Sequence, residues 1–322
     1  MIEKDAKRFS SKFEEDVWNG LTDFPKHLPS MYIYDKKGDK LFQDIMAMPE
    51  YYLTDCEFAI LKQHPKAIAD TFNSSKGFDL IELGAGDGKK TKILLKYLSE
   101  NNFDFTYLPI DISQHILDKL EASLQTELPK VSIQTQQGTY FEVLDKLAEY
   151  NKRKKVILVL GSNIGNLLHP KAIKFMRNIR ENMRKGDMLF MGFDQKKNPE
   201  TIWHAYNDKA GITEAFNKNL LWRINRELEG NFKPDNFIHW ETYNPETGTA
   251  KSFLISTAAQ NVQVKKIGLK THFKKWESLH IEISQKYDDD VIEWLAGESG
   301  LQIKDSFADK REYFKNYVFI KA

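Results

Sequence analysis

From about residue 60 to residue 195 the chain alternates short apolar runs with longer stretches whose apolar residues recur every three or four positions. The runs at 79–83, 107–110, 131–134, 156–160 and 188–193 have the length and composition of strands buried on both faces. Between the last two, Ala172, Phe175, Met176, Ile179 and Met183 share one face of a helix that Gly186 is expected to stop. Strands that alternate with amphipathic helices predict an α/β fold, a parallel sheet with helices on both faces.

Beyond residue 196 the alternation ceases. A helix over 213–229, ended by Gly230, precedes strand-like runs at 237–243, 251–257, 263–267 and 279–286. Neighbouring strands without intervening helices predict an antiparallel sheet and a second, α+β unit. The pattern then returns to a helix carrying Val291, Trp294 and Leu295, followed by strands at 301–307 and 317–320. At the other end, Ser11 and Glu14 have the spacing of a capping box, opening a helix with Phe13, Val17 and Leu21 on one face. A proline-punctuated stretch (Pro25 to Pro29) and a tyrosine-rich segment (Tyr32 to Tyr52) follow. The expected division is a sheet domain of 61–196 and 287–322, interrupted by an insert at 197–286 that groups with 1–60.

The first predicted strand runs into a turn with glycines at 84, 86 and 88, and a helix is expected directly after it. Glycine admits positive φ and lets backbone approach a ligand closely. The dinucleotide fingerprint G-x-G-x-x-G does not fit, because the third glycine comes one residue early. The phosphate-cradling P-loop does not fit either, because Lys90 follows Gly88-Lys89 and Leu83 stands where its first glycine belongs. What remains from Glu82 is E-x-G-x-G-x-G, the motif I spacing of class I methyltransferases, which bind S-adenosyl-L-methionine. Asp111 ends the next strand, where an acid accepts from both ribose hydroxyls in doubly wound sheets. The competing reading makes Asp111 or Ser113 a helix cap.

Composition narrows the field. The 47 basic and 46 acidic side chains nearly cancel, so no global field gathers nucleic acid or an anionic membrane. The run Lys152-Arg153-Lys154-Lys155 reads as a solvated loop. One cysteine, Cys56, excludes an internal disulfide framework and suits a reducing compartment. The opening residues lack an apolar signal core, and no stretch approaches the ~20 apolar residues of a membrane span. The eight histidines show no H-E-x-x-H or C-x-x-C pattern, so no metal is expected. A cytoplasmic monomer acting on a small molecule, with neither nucleic acid nor membrane as partner, is the expectation.

Several stretches together resemble one methyltransferase family. They are Gly20-Leu-Thr with Pro25-Lys and Leu28-Pro29, Tyr34-Asp35, Leu41-Phe42, Pro49-Glu-Tyr-Tyr with Thr54, and Gly161-Ser-Asn-Ile-Gly-Asn166. Tyr206-Asn-Asp with Ala210-Gly-Ile-Thr213, Phe216-Asn217, Asn225-Arg-Glu-Leu228 and Glu282-Ile-Ser284 complete the set. They are similar to the histidine-specific Nα-methyltransferases of ergothioneine biosynthesis, which convert L-histidine to the trimethylated betaine hercynine. The resemblance spans nearly the whole chain. It implies a class I (Rossmann-like) sheet with an inserted substrate-binding domain, the two enclosing the amino acid. By position it implies that Gly84, Lys90 and Asp111 contact the donor; Gly86 of the same turn is a further donor-binding candidate, and Thr139 and Tyr140 are candidates at the adenine. Tyr51, Asn166, Tyr206, Glu282 and Ser284 would contact histidine, and Tyr34 would lie near its amino group. Tyr34 and Asn166 are the candidates for orienting the amine. The chain departs from the family at Thr139, where relatives usually carry Asp, at Leu53 and Asp55, and at Ser252, where some relatives present Met.

The residue types suit these roles. In the alternating run at 279–285, His280, Glu282 and Ser284 fall on one strand face. That face is either a solvated surface or an imidazole site, Glu282 accepting a ring N–H and Ser284 serving the other ring nitrogen. His280 is given no role. Asn166 reads either as a turn residue or as an amide holding the amino-acid backbone. Tyr51 and Tyr52 are adjacent, so only one is expected to face a ligand, and Tyr51 is preferred. Two rival readings are a methyltransferase of a tryptophan-like amino acid and a non-catalytic S-adenosylmethionine-binding protein. An indole has no second ring nitrogen for Ser284, which favours histidine.

Overall fold

The computed structural model describes residues 9–150 and 153–322. The opening residues, on which the missing signal core was read, and Lys152 of the basic run lie outside the described residues. The strands in chain order are β1 (Phe78–Leu83), β2 (Phe105–Asp111), β3 (Ser132–Ile133), β4 (Gln136–Gln137), β5 (Lys154–Val159) and β6 (Met188–Asp194). They continue with β7 (Phe237–Asn244), β8 (Thr249–Ser256), β9 (Gln260–Val264), β10 (Leu269–Phe273), β11 (Ser278–Gln285), β12 (Leu301–Ala308) and β13 (Phe314–Lys321). Two compact units form, one of Leu53–Lys196 with Gln285–Ala322, the other of Met1–Tyr52 with Lys197–Ser284.

The first unit is built on a sheet of order β12-β13-β6-β5-β1-β2-β3, with β4 also on β2. β1, β2, β5 and β6 run parallel, and β13 returns antiparallel to β6 before pairing with β12. This is the class I methyltransferase sheet, five strand-helix units closed by a hairpin. Central β1 is buried at every position, as a strand covered on both faces must be. Ile81, Ile157 and Leu189 pack with Ala172, Met176 and Ile179 of the helix His169–Glu181. Each such Ile, Leu or Met side chain removed from water contributes about 1.5–3 kcal/mol. Only the edge pieces β3 and β4 form where one strand was expected over 131–134. Their Gln- and Ser-rich sequence leaves them partly exposed, with little apolar surface to hold a longer ladder.

The second unit holds a three-stranded sheet, β11-β8-β7, and the pair β10-β9. The helix Ile212–Glu227 buries Phe216, Leu220, Leu221 and Ile224 in a core with Phe237, Leu254, Leu279 and Ile281. Phe13, Val17 and Leu21 of the helix Lys12–Thr22 join that core. Ser11 caps this helix as expected, while Glu14 reaches back to Ser10 rather than to Ser11. β10 is absent from the sequence reading because only Leu269 and Phe273 of its five residues are buried.

Other expectations need correction. The unit boundary falls after Tyr52, not after residue 60, because the helix Leu53–Gln63 carries the fully buried Glu57. That carboxylate is bonded to Gly161, Lys90 and Asn316 of the sheet unit. Gln285 and Lys286 belong to the same unit, Lys286 through an ion pair to Asp194 at 2.6 Å. The described part of the basic run is not a solvated loop. Arg153 pairs with Asp104 at 2.9 Å, and buried Lys155 donates to the Asn182 carbonyl at 2.8 Å, beside Asp187. Acids distant in sequence take up its charge, which a local reading does not see.

Candidate functional site

At the end of β1 the backbone turns through Gly84, Gly86 and Gly88, all with φ between +53° and +73°. Side chains other than glycine rarely adopt such angles. A Cβ at Gly84 would stand 2.5 Å from the Tyr140 hydroxyl, and one at Gly88 would strike Leu120. Around Gly86 there is open space, so only its backbone angle demands glycine there. Beneath the turn, buried Glu82 accepts from Thr91 Oγ1 at 2.6 Å and from the Tyr107 hydroxyl. Burial raises its carboxyl to about 7, against the pull of those two hydroxyls.

Asp111 stands at the end of β2 with its carboxylate accepting the Ser113 backbone N–H at 2.9 Å. Ser113, not Asp111, caps the following helix Gln114–Glu127. Asp111, Ile112, Thr139 and Tyr140 line a cavity of about 240 Å³. The Tyr140 phenol is pushed up by burial, then by the charges of Asp111 and Glu82. The Thr139 hydroxyl donates to Glu142 at 2.6 Å across the start of the helix Tyr140–Tyr150. Thr139 therefore opens a helix as well as lining the cavity. The cavity thus lies beside the glycine turn, bordered by a strand-end carboxylate and an aromatic ring.

Lys90 is engaged elsewhere in the same unit. Its ammonium donates to Glu57 Oε2 at 2.7 Å. The same oxygen accepts the Gly161 N–H at 2.9 Å, and Oε1 accepts from Asn316 at 3.0 Å. The sequence reading missed Glu57, whose only local signal is an acid among the apolar positions of a helix. After β5 the chain passes Ser162, itself at φ +57°, into the turn Asn163–Asn166, where the Asn166 side chain is exposed.

In the other unit the expected substrate residues gather. Tyr34 meets Phe42 and Phe216 edge-on, with centroids 5.5 and 5.3 Å away. Phe42 meets Tyr51 at 6.3 Å, and Tyr51 meets Tyr206 at 6.1 Å. The Tyr206 and Ser284 hydroxyls are hydrogen-bonded at 2.8 Å. Tyr34 is 36% exposed as a residue, yet the desolvation of its crowded phenol, then the Glu282 carboxylate and the Tyr51 and Tyr206 phenols, push that phenol well up from its ordinary value. Tyr34, Tyr51, Tyr206, Glu282 and Ser284 thus converge, and Phe42 and Phe216 complete a ring-lined wall that the sequence reading did not assign. Tyr52 instead is buried, with the Lys197 ammonium on its hydroxyl at 2.8 Å and over its ring. The His280 ring lies tilted against Phe253 with centroids 5.3 Å apart, and Ser252 donates to the buried Glu241 at 2.6 Å.

Much of the remaining motif set is structural. Asp35 caps the helix Lys36–Met46 and accepts from Asn219 and Arg226. Asp208 takes the Ile212 and Thr213 N–H groups at the start of the helix Ile212–Glu227, and Asn225 binds both backbone groups of Phe232. Among the described residues no cluster suits a metal ion, and no helix is long and apolar enough to cross a membrane.

A family profile described as histidine-specific, SAM-dependent methyltransferase matches residues 13–321. A histidine N-alpha-methyltransferase of Mycolicibacterium smegmatis is 33% identical over 92% of this chain and 91% of its own. One of Mycobacterium tuberculosis is 33% identical over 84% and 83%. Ergothioneine biosynthesis protein 1 of Neurospora crassa is 31% identical over 90% of this chain and 33% of its own. The chain belongs to the family of histidine-specific, S-adenosylmethionine-dependent methyltransferases.

Proposed function

We propose that this chain transfers methyl groups from S-adenosylmethionine to the α-amino nitrogen of L-histidine, in successive rounds up to the trimethylated betaine hercynine. The observation that carries the choice of amino acid is the Tyr206–Ser284 hydroxyl pair, gathered with Glu282 and the aromatic wall. Glu282 would accept the imidazole N–H, and Ser284, its hydroxyl oriented by Tyr206, would serve the other ring nitrogen. An apolar side chain there would offer neither group a ring nitrogen to bond, which favours histidine.

The donor supplies an electrophilic methyl on its sulfonium. On this reading Gly84 and Gly86 let the backbone approach it, Asp111 accepts from its ribose hydroxyls, and Thr139 and Tyr140 border its adenine. Lys90 is the cation for its methionine carboxylate. Asn166 would hold the amino acid's backbone through an amide that both donates and accepts, and Tyr51 lines the wall beside Tyr206 in its own unit. Holding the nitrogen in line can supply roughly 7–11 kcal/mol of the barrier. Tyr34, its phenol raised, stays protonated near neutral pH and so orients the amine rather than deprotonating it. The amine titrates near or somewhat above neutral pH, so no strong base is required, and the one proton lost from nitrogen before each transfer passes to water. The rings of Tyr34, Phe42, Tyr51 and Phe216 suit a nitrogen that becomes a fixed cation.

In this reading the unit with the large sheet binds the donor, the other binds the amino acid, and the protein works as a cytoplasmic monomer without nucleic acid or membrane. The buried, single Cys56 is in keeping with a reducing compartment. The test is incubation with methyl-labelled donor and each of the twenty amino acids, read by mass spectrometry. Mono-, di- and trimethylated histidine should appear in turn. Label on tryptophan but not histidine would overturn the substrate, and label on no amino acid would overturn the activity.

A further inference from the structure

Glu57 is fully buried on the helix Leu53–Gln63, yet its carboxylate is bonded to three separate parts of the sheet unit. Oε2 accepts from the Lys90 ammonium at 2.7 Å and the Gly161 N–H at 2.9 Å, and Oε1 accepts from Asn316 on β13 at 3.0 Å. A Cβ at Gly192, on β6, would stand 2.6 Å from Oε1. One at Gly161 would stand 3.6 Å from the Lys90 ammonium, so that loop passes near that cation. Gly161 itself sits at φ +81°, a conformation the bond to Glu57 helps to hold.

A buried charge is costly unless paired and hydrogen-bonded, and Glu57 is both. The arrangement fixes two things beside the glycine turn, the place of the Lys90 ammonium and the course of the chain leaving β5. An ammonium has three donors and no acceptor, so Lys90 keeps capacity for a second anion after Glu57 is satisfied. S-adenosylmethionine carries one anionic group, the carboxylate of its methionine tail.

We propose that Glu57 is a positioning residue for the donor's methionine tail, holding Lys90 and the Gly161 turn where they receive its carboxylate. The proposal rests on the donor reading above and adds a residue that touches no ligand. Losing the Glu57 charge frees Lys90 and Gly161 and weakens ligands in proportion to their use of the tail. A merely structural role weakens every ligand of the site alike.

The test is calorimetric titration of the full chain and its Glu57→Gln variant with two ligands. S-adenosylhomocysteine carries the amino-acid tail, and 5′-methylthioadenosine has the same nucleoside without it. Glu57→Gln should weaken the former about tenfold or more, the scale of one hydrogen bond to a charged group, and the latter by less than about threefold. Equal loss for both ligands, or loss for neither, would overturn the proposal. Breaking a buried pair also threatens folding. Glu57→Asp keeps the charge and shortens its reach, and should give a smaller loss with the same tail selectivity. If the unaltered chain bound neither ligand, the donor reading would fall and this proposal with it, an outcome distinct from the first two.

Discussion

The hydroxyl of Tyr206 lies 2.8 Å from that of Ser284, a residue 78 positions further along the chain. One closes the helix Pro199–Ala205 and the other lies near the end of β11, and the bond ties the two elements at the aromatic wall. A serine hydroxyl rotates freely unless partners fix it, so the bond to Tyr206 contributes to setting how Ser284 presents its hydroxyl. Tyr206→Phe and Ser284→Ala should each lower kcat/KM for histidine by roughly tenfold, and the double variant should cost little more than either alone. Steady-state kinetics on the four proteins measures this. Fully additive losses would show that the two hydroxyls act independently.

The Glu282 carboxylate contributes to pushing the Tyr34 phenol up from its ordinary value. Glu282→Ala should lower kcat/KM for histidine at least about tenfold, since a hydrogen bond to a charged group is worth ~1.5–3 kcal/mol. Donor affinity should hold. Tryptophan should gain relative to histidine as the pocket becomes larger and less polar, with buried Ser252 and its partner Glu241 limiting the space. Parallel kinetics on the two amino acids would decide, and an undiminished preference for histidine would place the imidazole elsewhere.

Asp111 lines the cavity at the end of β2 and has only a backbone N–H on its carboxylate among the hydrogen bonds described. Asp111→Ala should weaken S-adenosylmethionine binding by roughly 1.5–3 kcal/mol. Calorimetry giving unchanged affinity, with circular dichroism intact, would remove Asp111 from the donor site.

Glu82 makes the stability of the sheet unit depend on pH. Its carboxyl has an ordinary value of 4.5 and is raised by burial to about 7. Between those values the folded chain binds the proton and the unfolded chain does not. The stabilisation is therefore complete below about pH 4.5 and is lost as pH rises toward 7. Glu82→Gln, which cannot ionise, should gain stability relative to the unaltered protein across that window. Urea denaturation at about pH 5 and about pH 8 compares them. A stability difference that did not change with pH would show that Glu82 is not protonated in the folded state.

The parts of this protein legible in the chain alone are those in which a residue's role is decided by its own backbone or near neighbours. Positive φ at 84, 86 and 88 requires glycine whatever surrounds it, and the period of the apolar residues reports which faces are buried. Those two signals carried the sheet, the turn and the strand-end Asp111. The family resemblance, carried by scattered short stretches, supplied Tyr34, Tyr51, Tyr206, Glu282 and Ser284 as a group before any geometry brought them together. Only the tertiary structure decided what these side chains touch. Glu57 meets Gly161 across 104 positions and Asn316 across 259, and Phe42 and Phe216 become one wall only after a helix has packed. Such contacts depend on how whole elements dock. A side chain's local sequence carries no record of a partner that packing brings to it from a distant part of the chain.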